Sequence, residues 1–196
     1  MDEQRTVQRR RGRGGRERIL AAATALFEAR GINATGMEQV AAAAPVSKRT
    51  LYAHFPTKDE LVVGYLRHLV ESGRTLETAL DREDLAPRER ILALFAPPVR
   101  DSDVLRGCPF VDAAAEFPDP ASPVHEYACR QKQRLAGRLA ELAGELGVAD
   151  PDRLGEQLAV LVDGAASRSM VLNDASCGDH ARAAAEALLD AARQHS

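Results

Sequence analysis

The sequence predicts an all-α fold of about nine helices, and three observations carry that expectation. Hydrophobic residues make up 45% of the 196 while aromatics make up only 4%, with no tryptophan and abundant alanine. That composition suits helices packed through Ala and Leu, not a β-sandwich built on aromatic and β-branched side chains. Apolar residues recur at spacings of three and four along most of the chain. Gly, Pro and Ser/Thr/Asp signals cut this pattern into segments of helical length.

The first segment, residues 1–14, carries Arg5, Arg9, Arg10, Arg11 and Arg13 among glycines and has nothing to bury. It is expected to be a disordered basic arm, with Arg9, Arg10, Arg11 and Arg13 suited to a DNA minor groove. Its RGRGG portion is also similar to arginine-glycine RNA-binding segments. A helix over 15–30 follows, with Ile19, Leu20, Ala23, Leu26 and Phe27 on one stripe and Gly31 placed to stop it in the left-handed conformation.

Thr35 and Glu38 have capping-box spacing and should open a short helix that Pro45 ends. Ser47 caps a second short helix through Phe55, and Pro56 closes it. Thr57 and Glu60 repeat the capping-box spacing and open a longer helix, with Leu61, Val62, Tyr65, Leu66 and Leu69 on one side, expected to reach Leu80. Two short helices joined by a tight turn and braced by longer ones describe a helix-turn-helix, whose second helix enters the major groove. Leu51 and Phe55 lie four apart and can anchor that second helix, leaving Lys48, Arg49 and Tyr52 to face outward.

Charge is distributed to match. Residues 1–58 hold 11 Lys+Arg against 5 Asp+Glu, a net of +6, within a chain whose total is −3. A basic head on an acidic body points to a polyanionic partner, with a merely solvated tail as the alternative.

The stretch FEARGINATGMEQVAAAAPVSKRTLYAHFPTKDEL resembles the DNA-binding region of TetR/AcrR-family transcriptional regulators. The features that carry the resemblance are the Leu26–Phe27…Gly31 helix end, Thr35, Val40–Ala41, Val46–Ser47, and Thr50-Leu-Tyr-x-His-Phe followed by Lys58. It implies a three-helix helix-turn-helix DNA-binding domain over 15–62 and a helical ligand-binding and dimerisation domain over 63–196. The function it implies is repression from a palindromic operator, relieved by a small-molecule effector; the odd, widely spaced cysteines separately lead to the expectation of a cytoplasmic protein with reduced thiols, and no cofactor or metal is expected. Thr35 and the start of its helix would hold a phosphate. Lys48, Arg49 and Thr50, behind the Ser47 cap, would face the groove, with Arg49 reading a guanine edge. Tyr52, His54 and Lys58 would contact phosphates. The chain departs from the family at Pro45, where a turn-compatible residue such as Gly is usual; proline fixes φ near −65°.

The body reads as further helices: Pro87 to Phe95, stopped by Pro97–Pro98; Cys108 to Phe117; Ser122 to about Leu146; 151–173; and about 178–194. The last two are rich in small residues, and the resemblance implies that the region 151–194 forms a four-helix bundle with a second copy. The resemblance implies an effector pocket in the middle of this domain, and Cys108, Phe110, Phe117, His125 and Tyr127 give an aromatic and polar set that would suit it. Ordinary packing around a proline-rich turn is the alternative for each of them.

No apolar run approaches the roughly 20 residues of a membrane span, and the arginine-rich start has no secretory h-region. Cys108, Cys129 and Cys177 have no metal or disulfide spacing. No nucleophile elbow, phosphate loop, zinc-protease or dinucleotide motif is present. A helical enzyme with a non-local site, or a scaffold whose basic head binds RNA or protein, remain as alternatives.

Overall fold

The computed structural model describes residues 2–96 and 104–194, with side chains described only from Gly14 on and up to Ala192. Among the described residues there are nine α-helices, one 3-10 helix and no strand. The order is α1 (Asp2–Arg30), α2 (Met37–Ala43), α3 (Lys48–His54), α4 (Lys58–Glu71), a 3-10 helix (Leu76–Asp81), α5 (Pro87–Ala93), α6 (Pro109–Glu116), α7 (Pro123–Glu145), α8 (Pro151–Leu172) and α9 (Cys177–Gln194). The chain forms two compact units, one of Met1–Ser72 with Ala115–Tyr127, the other of Gly73–Ala114 with Ala128–Ser196.

The first unit is built on α1. Ile19, Leu20, Ala23 and Phe27 are buried along its stripe, as are Val40 and Ala41 of α2, Leu51 of α3, and Leu61, Val62, Tyr65 and Leu66 of α4, and α1 packs against all three helices. Phe27 and Tyr65 contact edge to face, with ring centroids 5.2 Å apart. Gly64 is where α4 admits the ring of Phe55. A Cβ there would stand 2.7 Å from Phe55 Cε1 and 3.5 Å from Leu20 Cδ2. The core of the second unit joins Leu80, Ile91 and Phe95 to Leu135, Leu139 and Leu142 of α7, Leu154 and Leu158 of α8, and Ala185 and Leu189 of α9.

Several boundaries differ from the sequence expectation. The segment 1–14, expected as a disordered arm, belongs to α1 from Asp2 onward. Its Arg and Gln residues are good helix formers, and a helix already nucleated by packing extends at low cost. α4 ends at Glu71 instead of reaching Leu80: Gly73 takes φ +67°, and the chain restarts as the separate 3-10 helix. The expected division at 62/63 falls inside α4, whose buried face runs on to Leu66 and Leu69, so the first unit extends to Ser72 and regains 115–127. Pro97–Pro98 lie outside the described residues, and α5 has already ended at Ala93.

Three helices end in one hydrogen-bond pattern, and one of them is incomplete. After α7, Val148 N–H donates to Ala143 O at 3.3 Å and Gly147 N–H to Gly144 O at 2.9 Å, with Gly147 at φ +77°. After α8, Asp174 N–H donates to Ser169 O at 3.1 Å and Asn173 N–H to Met170 O at 3.3 Å, with Asn173 at φ +50°. These are paired Schellman bonds around a left-handed residue. After α2 the outer bond is present, Val46 N–H to Ala41 O at 3.2 Å. The left-handed position is Pro45, at φ +24°, which has no N–H for the inner bond. The expectation of φ near −65° at Pro45 is therefore corrected. The path from α2 into α3 requires the reversal, and the ring is carried far from its preferred angle.

Candidate nucleic-acid interface

α3 divides into two faces. Ser47 caps it, its Oγ accepting from Thr50 N–H at 3.1 Å, while its hydroxyl also hydrogen-bonds Thr50 Oγ1 at 2.8 Å. Leu51 and Phe55 are buried and hold the helix down. The guanidinium of Arg16 lies 5.4 Å from the centroid of the Phe55 ring. Lys48, Arg49 and Tyr52 are on the outside, with Tyr52 46% exposed despite its size. Leaving a large ring in water forgoes apolar burial that packing would have recovered.

Arg49 is exposed on the same side. Lys48 is engaged: its ammonium pairs with Glu38 of α2 across the turn, and both side chains are exposed. The hydrogen bond and charge of Glu38 hold the Lys48 ammonium above the usual lysine range. An exposed pair of this kind is weak and exchangeable.

Thr50 and His54 are half-buried against α1. A Cβ on Gly15 would come 3.2 Å from His54 Nε2 and 3.7 Å from Thr50 Cγ2, so the two side chains pack beside that glycine. Lys58 opens α4 behind the Thr57 cap, whose hydroxyl accepts from Glu60 N–H at 3.1 Å, and its Nζ reaches Asn33 O at 3.4 Å.

Thr35 stands elsewhere than expected. It is 1% exposed, and its hydroxyl donates to Gly31 O at 2.9 Å. The residue at the cap of α2 is Gly36, whose N–H donates to Gln39 Oε1 at 2.8 Å, so Thr35 and Glu38 form no capping box. The carbonyl freed at the end of α1 captured the hydroxyl, and a side chain so spent does not reach a phosphate. The side chains of Arg9, Arg10, Arg11 and Arg13 lie outside those described.

Sequence reasoning missed Glu38 and Glu116 as partners of this surface. The Glu116 carboxylate accepts from Ile32 N–H at 2.9 Å and Asn33 N–H at 2.5 Å, across more than 80 residues of chain. Nothing local signals such a contact. The pairing of Glu38 with Lys48 had a faint signal in two opposite charges on consecutive short helices.

The five residues expected to line an effector pocket are distributed over both units. Phe110 and Cys108 belong to the second, the former buried; Phe117, His125 and Tyr127 belong to the first. His125 Nδ1 lies 2.9 Å from Phe117 O, and the Arg67 guanidinium is 6.0 Å from the centroid of Tyr127. Among the described residues no cluster of three possible metal ligands occurs, and no helix is long and apolar enough to cross a membrane.

Two family profiles match this sequence: "Bacterial regulatory proteins, tetR family" over residues 19–64, and "Tetracyclin repressor-like, C-terminal domain" over residues 87–185. The HTH-type transcriptional regulator YjdC of Escherichia coli is 28% identical over 181 residues, covering 91% of this chain and 95% of that protein. An HTH-type transcriptional repressor of Mycobacterium tuberculosis is 33% identical over 132 residues, 62% of this chain and 63% of its own length. The crystal structure of a TetR-type regulator from Streptomyces avermitilis superposes with a TM-score of 0.78 at 34% identity, covering 91% of this chain and 97% of that one.

Proposed function

The chain belongs to the TetR family of bacterial transcriptional regulators, and from that premise we propose that it is a homodimeric repressor, released from a palindromic operator by a small-molecule effector. Its relatives are DNA-binding regulators, not enzymes. The finer reading rests on the two faces of α3. Burial of Leu51 and Phe55 fixes the helix, and exposure of Arg49 and Tyr52 leaves a cation and a phenol for base edge and phosphate.

The dimer is supported by side chains that one copy leaves in water. On α8, Val160, Gly164, Ser167 and Val171 follow a spacing of four, three and four along one side. Val160 is 69% exposed and Val171 76%, and a Cβ at Gly164 would touch nothing. On α9, which packs along α8, Ala184 and Ala187 are also exposed. Apolar and small residues in this register suit helix-on-helix packing with a second copy. A two-fold pair of recognition helices also reads enough base pairs to stand out from non-specific DNA.

Effector control is supported by Gln131 of α7. Its Oε1 is buried without a hydrogen-bond partner, the state of a polar group that a bound ligand would satisfy. Repression agrees with the name of the M. tuberculosis relative.

Selection of bound fragments from the source genome, followed by footprinting, tests the operator. The expected product is a palindrome with half-sites about one helical turn apart. Titrating a released effector with and without that duplex tests the coupling, because each ligand must weaken the other by the same factor. Equal effector affinities in the two titrations would exclude release by this route.

A further inference from the structure

We infer that Glu116, the last residue of α6, is a positioning residue for DNA recognition: it locks the α1–α2 loop on which the helix-turn-helix is mounted. The inference rests on the DNA-binding reading and concerns a residue outside the helix-turn-helix itself.

Gly31 takes φ +92° at the end of α1. The two N–H groups that follow, of Ile32 and Asn33, converge as in a backbone anion cradle. In this protein a side chain fills that cradle. Glu116 Oε1 accepts from Ile32 N–H at 2.9 Å and Oε2 from Asn33 N–H at 2.5 Å. The contact also runs in reverse, since Asn33 Nδ2 donates to Glu116 O at 3.1 Å and so satisfies a carbonyl at the α6 C-terminus. Asn33 O in turn accepts from Lys58 Nζ at 3.4 Å. One loop residue is thereby tied to the end of α6 and to the start of α4.

The remaining bonds of the loop among the described residues are local or made by a long flexible side chain. The loop contains one internal pair of bonds, Thr35 N–H to Ile32 O at 3.1 Å and Thr35 Oγ1 to Gly31 O at 2.9 Å. Two N–H groups on one carboxylate are charge-assisted and directional. They fix where α2 starts, and through the short turn at Pro45 they fix the pose of α3.

Glu116→Ala and Glu116→Gln test the assignment. Alanine removes both acceptors; glutamine keeps the shape but sets an NH2 group against one donor. The readouts are amide exchange at Ile32 and Asn33, affinity for a duplex the wild type selects from a random library, affinity for an unselected duplex, and thermal midpoint. In both variants the two amides are expected to exchange at least about tenfold faster. Affinity for the selected duplex is expected to fall about tenfold, while the unselected duplex, held by backbone charge, changes less than about twofold. A purely structural role would lower both affinities together with the midpoint, and that result overturns the inference. So does unchanged affinity for the selected duplex. A wild type that selects no duplex overturns the DNA reading itself, which separates the two failures.

Discussion

Lys48 and Glu38 form an ion pair between the first residue of α3 and the first turn of α2, on the surface that the recognition helix presents. The pair sets an acidic group where a polyanion would arrive. On the proposed reading, a phosphate arriving here would compete with Glu38 for the Lys48 ammonium.

Glu38→Gln is therefore expected to tighten binding to any duplex, by roughly two- to fivefold at low salt, with the gain shrinking as salt rises. Fluorescence anisotropy across a salt series checks it. Weaker binding by the variant would mean that the pair organises α3 more than it competes with DNA.

Arg49→Ala is expected to relax sequence preference at one base pair by about 1–3 kcal/mol, read as equalised affinities for single-base operator variants. Lys58→Ala is expected to weaken all duplexes evenly and to lower the salt slope by about one. Unaltered discrimination in Arg49→Ala would move base reading to another residue.

Pro45→Gly is expected to stabilise the protein. Proline at φ +24° forfeits the inner Schellman bond and strains its ring, while Gly147 holds the equivalent position with both bonds. Strain of this type is worth about 1–3 kcal/mol, part of which glycine returns as unfolded-state entropy. Denaturant midpoints at constant slope decide the sign.

Gly64→Ala is expected to destabilise by about 1–3 kcal/mol, because a methyl 2.7 Å from Phe55 Cε1 forces the ring, and with it α3, to shift. DNA affinity should fall further than stability alone explains, measured well below the melting temperature.

Glu77→Gln is expected to raise the melting temperature at neutral pH and to leave it nearly unchanged in acid. Burial pushes the Glu77 carboxyl up, against the opposing charges of Lys132, Arg134 and Arg138. A raised acid favours the folded state below its unfolded pKa and loses that contribution as pH rises through the folded value. Melting curves of both proteins at pH 4 and pH 7 give the comparison.

Much of this architecture is legible in the sequence wherever the cause is local. Ser47 caps α3, Thr57 caps α4 and Gly31 ends α1 at the positions their chemistry requires. Leu51 and Phe55 are buried as their spacing of four indicates. The errors arise where tertiary partners chose between local options. Thr35 was as good a cap as Gly36 until the Gly31 carbonyl took its hydroxyl. The break at Ser72–Gly73 was readable, but the apolar pattern continued across it and masked the signal. The hold of Glu116 on Ile32 and Asn33 spans more than 80 residues and leaves no periodic trace.

The unit that carries α3 is not continuous in the chain, since it needs 115–127 as well as everything up to Ser72. That has a consequence for biosynthesis. When Ser72 is made, Glu116 does not yet exist, and the α1–α2 loop waits for its carboxylate. At ribosomal rates of about 5–20 residues per second, that delay is roughly two to nine seconds. During it the head is present without its lock, so a nascent or truncated chain ending near Ser72 carries the recognition helix but not the means to aim it.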